Sequence, residues 1–235
     1  DRSVQQIAEM RLLEGIRKYG AKEGTVVILD PKTGGMLSMA SYPSYDPLAF
    51  ASYDTALYKN PIVAASYEPG STFKVLVMSG ALEEKAVTAA TIVDERGPVV
   101  IGEYTIRTWN DQYRGPITMA EVLEHSSNVG MVFVGRALGK EKLLKYIHDF
   151  GIGQPTGVDL QEESSPMLRD DDQWREIDVA TASFGQGIAV TPIQMVRAVG
   201  AIANGGWLME PHVVSEIRDE KGRVVTLKPK QIRRV

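Results

Sequence analysis

The stretch Glu68-Pro69-Gly70-Ser71-Thr72-Phe73-Lys74, followed by the apolar run Val75-Leu76-Val77-Met78, constrains this chain more than any other. Pro-Gly marks a sharp turn, and the apolar run behind it reads as a buried helix. Ser71 then stands in the first turn with Lys74 three residues on, and residues so spaced share a helix face. The spacing predicts that the Ser71 hydroxyl meets the Lys74 amine. Apolar surroundings disfavour a charged amine, and a neutral amine beside a hydroxyl can make serine a nucleophile without histidine. The positive end of the helix dipole would favour an oxyanion formed there. No other serine in the chain has a lysine three positions on. The bland alternative is a surface serine beside a snorkelling lysine.

A second polar element lies downstream at Ser126-Ser127-Asn128. Apolar patterns before it (Met119–Glu124) and after it (Val129–Phe133) predict two helices with this triplet between them. Ser and Asn favour helix ends, so a plain cap is one reading. The sharper reading turns the pair into a cleft, where Ser126 passes a proton and the Asn128 amide holds a substrate carbonyl.

Together, Ser71-Thr72-Phe73-Lys74 and Ser126-Ser127-Asn128 resemble the first two motifs of the penicillin-binding proteins and serine β-lactamases. Further segments narrow the resemblance to the transpeptidase domain of a class B penicillin-binding protein. They are Asp1–Gln5, Val27–Gly34, Ser41-Tyr42-Pro43 with Asp46-Pro47, Gly185–Gln194 and Ala203–Gly206. The family carries a third motif, Lys-Thr/Ser-Gly, on a strand lining the cleft. Lys32-Thr33-Gly34 is not that motif: it precedes the nucleophile and sits between Thr25–Leu29 and Met36–Ala40, which read as a hairpin. By the family layout, the third motif is expected a few tens of residues beyond Val235. Residues 1–235 are then read as one transpeptidase domain cut short at its C-terminus, with weak or absent transpeptidation by itself.

The resemblance implies an α/β fold of the α+β type: an antiparallel sheet flanked by helices, plus a largely helical subdomain. The later C-terminal strands of that sheet are expected to lie outside this chain. A two-stranded hairpin is marginal alone, so a sheet edge is expected to be open unless another segment, such as a second chain, completes it.

The implied chemistry is acyl transfer. Lys74 takes the proton of Ser71, and Ser71 attacks a peptidoglycan stem peptide ending in D-Ala-D-Ala. The Ser71 backbone N–H gives half of an oxyanion hole. Ser126 relays a proton to the departing D-alanine, Asn128 orients the substrate amide, and a second stem's amine takes the acyl group. β-Lactam antibiotics would acylate the same serine. The family further implies wall-synthesis glycosyltransferase partners and the extracytoplasmic face of the bacterial membrane, with an upstream membrane helix and an upstream non-catalytic domain. No cofactor and no metal are implied. Other readings are a β-lactamase or D,D-carboxypeptidase, a β-lactam sensor or inactive scaffold, and an unrelated α/β protein in which both motifs are caps.

Composition agrees with a globular domain. The chain has 235 residues, 43% hydrophobic and 24% charged, with ample length for a core. A net charge of −4 and the lack of a basic stripe argue against nucleic acid. The absence of cysteine removes thiolate chemistry and disulfides. Asp170-Asp171-Asp172 reads as a solvated turn rather than a metal site. The histidines His125, His148 and His212 are too scattered for a ligand cluster, though His125 abuts the second motif. No stretch reaches the ~18 consecutive apolar residues of a membrane span.

The remaining patterns predict a helix over Ser3–Tyr19 stopped by Gly20, and loops from Tyr42 to Pro69. The nucleophile helix runs to about Glu84, with strand-like alternation following over Ile92–Ile106. Thr118-x-x-Glu121 is a capping box. Helices follow over Val129–Leu138 and Glu141–Phe150, separated by Gly139. Thr191-Pro192-Ile193-Gln194 opens a helix ended by Asn204-Gly205-Gly206, and Trp207–Arg218 reads as strand and turn before a basic tail, Lys228–Arg234.

Overall fold

The computed structural model describes residues 1–235. Helix α1 (Arg2–Tyr19) precedes strands β1 (Gly24–Leu29) and β2 (Met36–Tyr42) and the short helix α2 (Pro61–Ala64). Helix α3 (Lys74–Glu83) is followed by β3 (Ile92–Glu95), β4 (Val99–Ile101), β5 (Tyr104–Ile106) and β6 (Gly115–Thr118). Next come α4 (Met119–Glu124), α5 (Asn128–Leu138), α6 (Lys140–Asp149) and α7 (Glu176–Ala182). Helix α8 (Pro192–Ala203) leads into β7 (Trp207–Met209), β8 (Glu216–Arg218), β9 (Val224–Thr226) and β10 (Gln231–Arg234). The class is mixed α/β, and every strand ladder is antiparallel. The chain forms two compact units.

The first unit comprises Asp1–Tyr67, Gln154–Pro166 and Val190–Val235. Helix α1 starts where the Asp1 carboxylate accepts the Ser3 and Val4 N–H groups, and it ends at Gly20, whose φ of 61° few other residues adopt. Strands β1 and β2 form the expected hairpin, with Val27 opposite Met39. Lys32-Thr33-Gly34 is its turn: the Asp30 carboxylate accepts the Lys32 N–H at 3.0 Å and the Thr33 hydroxyl at 2.8 Å. This is a structural turn built on a local carboxylate.

The open sheet edge expected from sequence lies on β1, whose one strand partner is β2, whereas the outer edge of β2 is covered by α1. The Gln5 side chain, on α1, donates to the Met39 carbonyl at 2.7 Å and accepts the Met39 N–H at 2.8 Å. A side-chain amide here replaces a neighbouring strand. Ile62, Val63, Val158 and Ile193 form a core against Val27, Met36 and Met39. Helix α8 begins in the expected Thr191–Gln194 capping box with Pro192 in its first turn. The basic tail is not a free tail: it contains β10, which pairs with β7.

The second unit comprises Glu68–Gly153 and Met167–Ala189. Helix α3 packs against α5 and α6, and Phe73, Leu76, Val77, Met131 and Leu143 are buried there. Gly80 lets α3 approach α6 closely, since a Cβ on it would lie 2.8 Å from the Tyr146 ring. Helix α7, which no sequence signal announced, packs on α5.

Candidate active site

Ser71 lies in a single 3-10 turn, Gly70–Phe73, which runs straight into α3 at Lys74. Gly70 has φ 54°, so the chain turns sharply just before the serine. That turn is braced from the same unit. The Gly70 N–H donates to the Gly185 carbonyl at 2.9 Å, and the Gly187 N–H donates to the Glu68 carboxylate at 3.0 Å. Ser71 is exposed at the cleft, whereas Lys74 is only 2% exposed.

The expected direct pairing of Lys74 with Ser71 is replaced by a three-membered path. The Lys74 ammonium spends its three donors on the Ser126 carbonyl at 2.7 Å, the Ser126 Oγ at 3.0 Å and the Asn128 Oδ1 at 2.9 Å. The Ser126 hydroxyl in turn donates to the Ser71 Oγ at 2.9 Å. Ser126 thus stands between amine and nucleophile. Its backbone explains how: Ser126 has φ 54°, a left-handed conformation uncommon for a residue with a Cβ, and its carbonyl reaches Lys74.

Asn128 opens α5, and Ser127 caps that helix by accepting the Gly130 N–H at 2.8 Å. The Asn128 side chain is held at both ends, since its Nδ2 donates to the Arg107 carbonyl at 3.0 Å. One Nδ2 hydrogen remains for a ligand. Ser127 also donates to the Glu95 carboxylate. Glu95, on β3, is 1% exposed.

Burial draws Lys74 down from 10.5 to about 8, against the opposing field of Glu95, which favours the charged amine. An amine that titrates near neutrality, hydrogen-bonded through one hydroxyl to another, can take up and return a proton.

A cleft of about 500 Å³ opens at this point, lined by Ser71, Thr108, Trp109, Arg114, His125 and Ser126 among others. Trp109 is 74% exposed and offers an aromatic face to the solvent. His125 both lines the cleft and ends α4. The Asp170-Asp171-Asp172 segment is an exposed turn in which Asp171 meets His148 at 3.1 Å.

Sequence reasoning singled out Ser71, Lys74, Ser126 and Asn128, and the fold brings all four together. It missed Glu95 and Arg107, and it marked Gly185 only as part of the Gly185–Gln194 segment, without its contact to the nucleophile turn. The signal for Glu95 was present: in Ile92-Val93-Asp94-Glu95 the inward positions are Val93 and Glu95, an acid on the buried face of an alternating strand.

The sequence matches the penicillin binding protein transpeptidase domain family over residues 24–235. The chain belongs to that family. It is similar to Stage V sporulation protein D of Bacillus subtilis, 41% identical over 218 residues, covering 92% of this chain and 34% of that protein. It is also similar to a peptidoglycan D,D-transpeptidase FtsI homolog of Mesostigma viride, 35% identical, covering 94% of this chain and 39% of that protein. This transpeptidase-family chain therefore spans little more than a third of the length of those relatives.

Among solved structures, the chain superposes on penicillin binding protein 3 from Mycobacterium tuberculosis complexed with aztreonam, with a TM-score of 0.92 at 29% identity, covering 99% of this chain and 52% of that one. The same protein complexed with ampicillin gives a TM-score of 0.90 at 29% identity, covering 99% and 52% of the two chains. The class B assignment and the α/β fold read from the motifs both agree with these relatives.

Proposed function

We propose that this chain is the acyl-transfer domain of a peptidoglycan D,D-transpeptidase and that Ser71 is its nucleophile. The observation that carries this reading is the unbroken path from the buried Lys74 amine through the Ser126 hydroxyl to the Ser71 hydroxyl. Relatives named as peptidoglycan D,D-transpeptidases and neighbours solved with aztreonam and ampicillin support it. In this reading residues 1–235 belong to a single transpeptidase domain.

In the acylation step Lys74 is neutral and both hydrogen bonds reverse, so that Ser71 donates to Ser126 and Ser126 to the amine lone pair; the Ser126 proton then passes to Lys74 while the Ser71 proton passes to Ser126. The Ser71 Oγ bonds to the carbonyl carbon of the penultimate D-alanine. The amide C–N bond to the last D-alanine breaks, and the proton returns from Lys74 through Ser126 to the leaving nitrogen. In the second step the amine of another stem attacks the ester carbon, its proton goes to the same relay, and Ser71 leaves protonated. Asn128 has one N–H free to hold the substrate amide. In this reading the Ser71 N–H, in the turn at the helix start, is one donor to the developing oxyanion, and losing such a donor costs roughly 2.7–4 kcal/mol.

A β-lactam presents a strained amide to the same hydroxyl and leaves a stable ester. The substrates are stem peptides ending in D-Ala-D-Ala, on the extracytoplasmic face of the membrane, and glycosyltransferases of wall synthesis are the expected partners. No helix of the chain is long and apolar enough to cross a membrane.

The test is intact mass after incubation with a penicillin, beside a Ser71→Ala control. One persistent adduct on Ser71, absent from the control, is the expected result. No adduct refutes the reading, and an adduct shed within seconds replaces it with a water-using hydrolase.

A further inference from the structure

The acyl-transfer reading uses four side chains, yet the most buried acid of the unit lies behind them. Glu95 is on β3 and is 1% exposed. Its carboxylate accepts the hydroxyl of Ser127, the residue between Ser126 and Asn128. Ser127 in turn holds the first turn of α5 through the Gly130 N–H at 2.8 Å. The packing there is close. A Cβ on Gly130 would fall 2.4 Å from Val122 Cγ2 and 3.2 Å from Ser127 Oγ, so the first turn of α5 fits only with glycine at that position. Glu95 is itself held by the β3–β6 ladder, opposite Gly115. Burying a carboxyl is costly unless it serves as a partner. Here one side of it serves the loop and its field reaches the amine.

We propose that Glu95 is a positioning residue of the acyl-transfer site: its buried carboxylate, through the Ser127 hydroxyl, fixes the loop that presents Ser126 and Asn128 to Lys74. This rests on the acyl-transfer reading of the site. The geometry separates the two effects. The loop contact runs through the Ser127 hydroxyl and needs only an acceptor, which an amide also provides. The bias on Lys74 needs the charge. It opposes the effect of burial on the amine, so the two together set where the amine gives up its proton.

The other charged groups around Lys74 are few. Glu124, His125 and Arg114 line the cleft. On α6, Lys142 is engaged with Glu84 beyond the far end of α3, and on α5, Arg136 pairs with Glu176. Of these acids and bases, Glu95 alone is buried.

The experiment is the pH dependence of acylation by a fluorescent penicillin for wild type, Glu95→Gln and Ser127→Ala. In Glu95→Gln, burial acts alone on Lys74, so the rising limb is expected to move to lower pH. At a pH on that limb, the rate relative to the variant's own plateau rises by about threefold or more, the equivalent of half a pH unit. Ser127→Ala keeps the charge and loses the anchor, so its limb stays in place while its plateau falls.

A Ser127→Ala plateau that coincides with wild type overturns the proposal. So does failure of both variants to fold, which would make Glu95 a structural support only. If wild type itself takes no label on Ser71, the acyl-transfer reading fails instead, and that outcome is distinguishable from the other two.

Discussion

Gly185 and Gly70 meet backbone to backbone: the Gly70 N–H donates to the Gly185 carbonyl at 2.9 Å, and a Cβ built on Gly185 would stand 2.1 Å from the Gly70 carbonyl oxygen. The turn that presents the nucleophile is thus pressed against a second glycine turn, and Gly185 itself has φ 79°. Gly185→Ala must push Gly70 away and strain its own backbone. Displacing a nucleophile by about 1 Å costs on the order of 10²-fold. Acylation by a penicillin is expected to fall by about that factor, while secondary structure by circular dichroism stays near wild type.

Lys74 sets the pH range. Burial lowers it to about 8, so the neutral amine grows as pH rises through that value. The acylation rate should therefore climb from pH 6 to about 8 and level off above it, as read by stopped-flow with a chromogenic β-lactam. Lys74→Arg keeps a cation but cannot give up its proton at these pH values. That variant is expected to lose both the limb and about 10²–10⁴-fold of the rate.

Ser126 combines a hydroxyl that the relay needs with a backbone that strains a Cβ, at φ 54°. The two properties separate on substitution. Ser126→Ala and Ser126→Gly should both lose about 10²–10⁴-fold in acylation. Glycine adopts a positive φ without strain, so Ser126→Gly should melt higher than Ser126→Ala, by about 1 kcal/mol or more in unfolding free energy. Equal melting of the two would contradict the strain.

Asp178 ties the start of α7. Its carboxylate meets Arg169 at 2.7 Å and Arg175 at 3.1 Å, and it also accepts the Arg175 N–H at 2.9 Å. The Arg175 hydrogen bond leads the effects that hold Asp178 well below the usual carboxylate range. A carboxylate so depressed stabilises the fold above the unfolded value of 3.8 and loses that contribution as pH falls through its own lower value. Asp178→Asn should cost about 1–3 kcal/mol in urea unfolding at pH 7, and the gap to wild type should shrink as the acid limit is approached.

Local signals carried much of this structure into the sequence. The capping boxes at Thr118 and Thr191 appear as read, as do the Gly20 stop and the hairpin around Asp30–Gly35. The motif residues were legible because their chemistry demands fixed spacings on helix ends. What was not legible depends on contacts between distant segments. The short helix α7 has no cap pattern of the usual residue types, and Arg175 stands at its start. The β10 strand lies in a basic, half-polar stretch that only its partner β7 defines. The direct Ser71–Lys74 pairing failed as an expectation because the lysine's donors are captured by a loop more than fifty residues away, Ser126 and Asn128. Helical spacing alone cannot register that competition.

The Gln5 clasp on Met39 gives the first hairpin a direction of growth. Opposed residues of an antiparallel pair turn their peptide groups the same way relative to each other, inward or outward. Met39 turns its own outward to Gln5, so Val27 across from it must turn its N–H and C=O away on the far side. Any further backbone that extends this ribbon has to register on Val27 and its neighbours, because the opposite margin is already sealed by a glutamine.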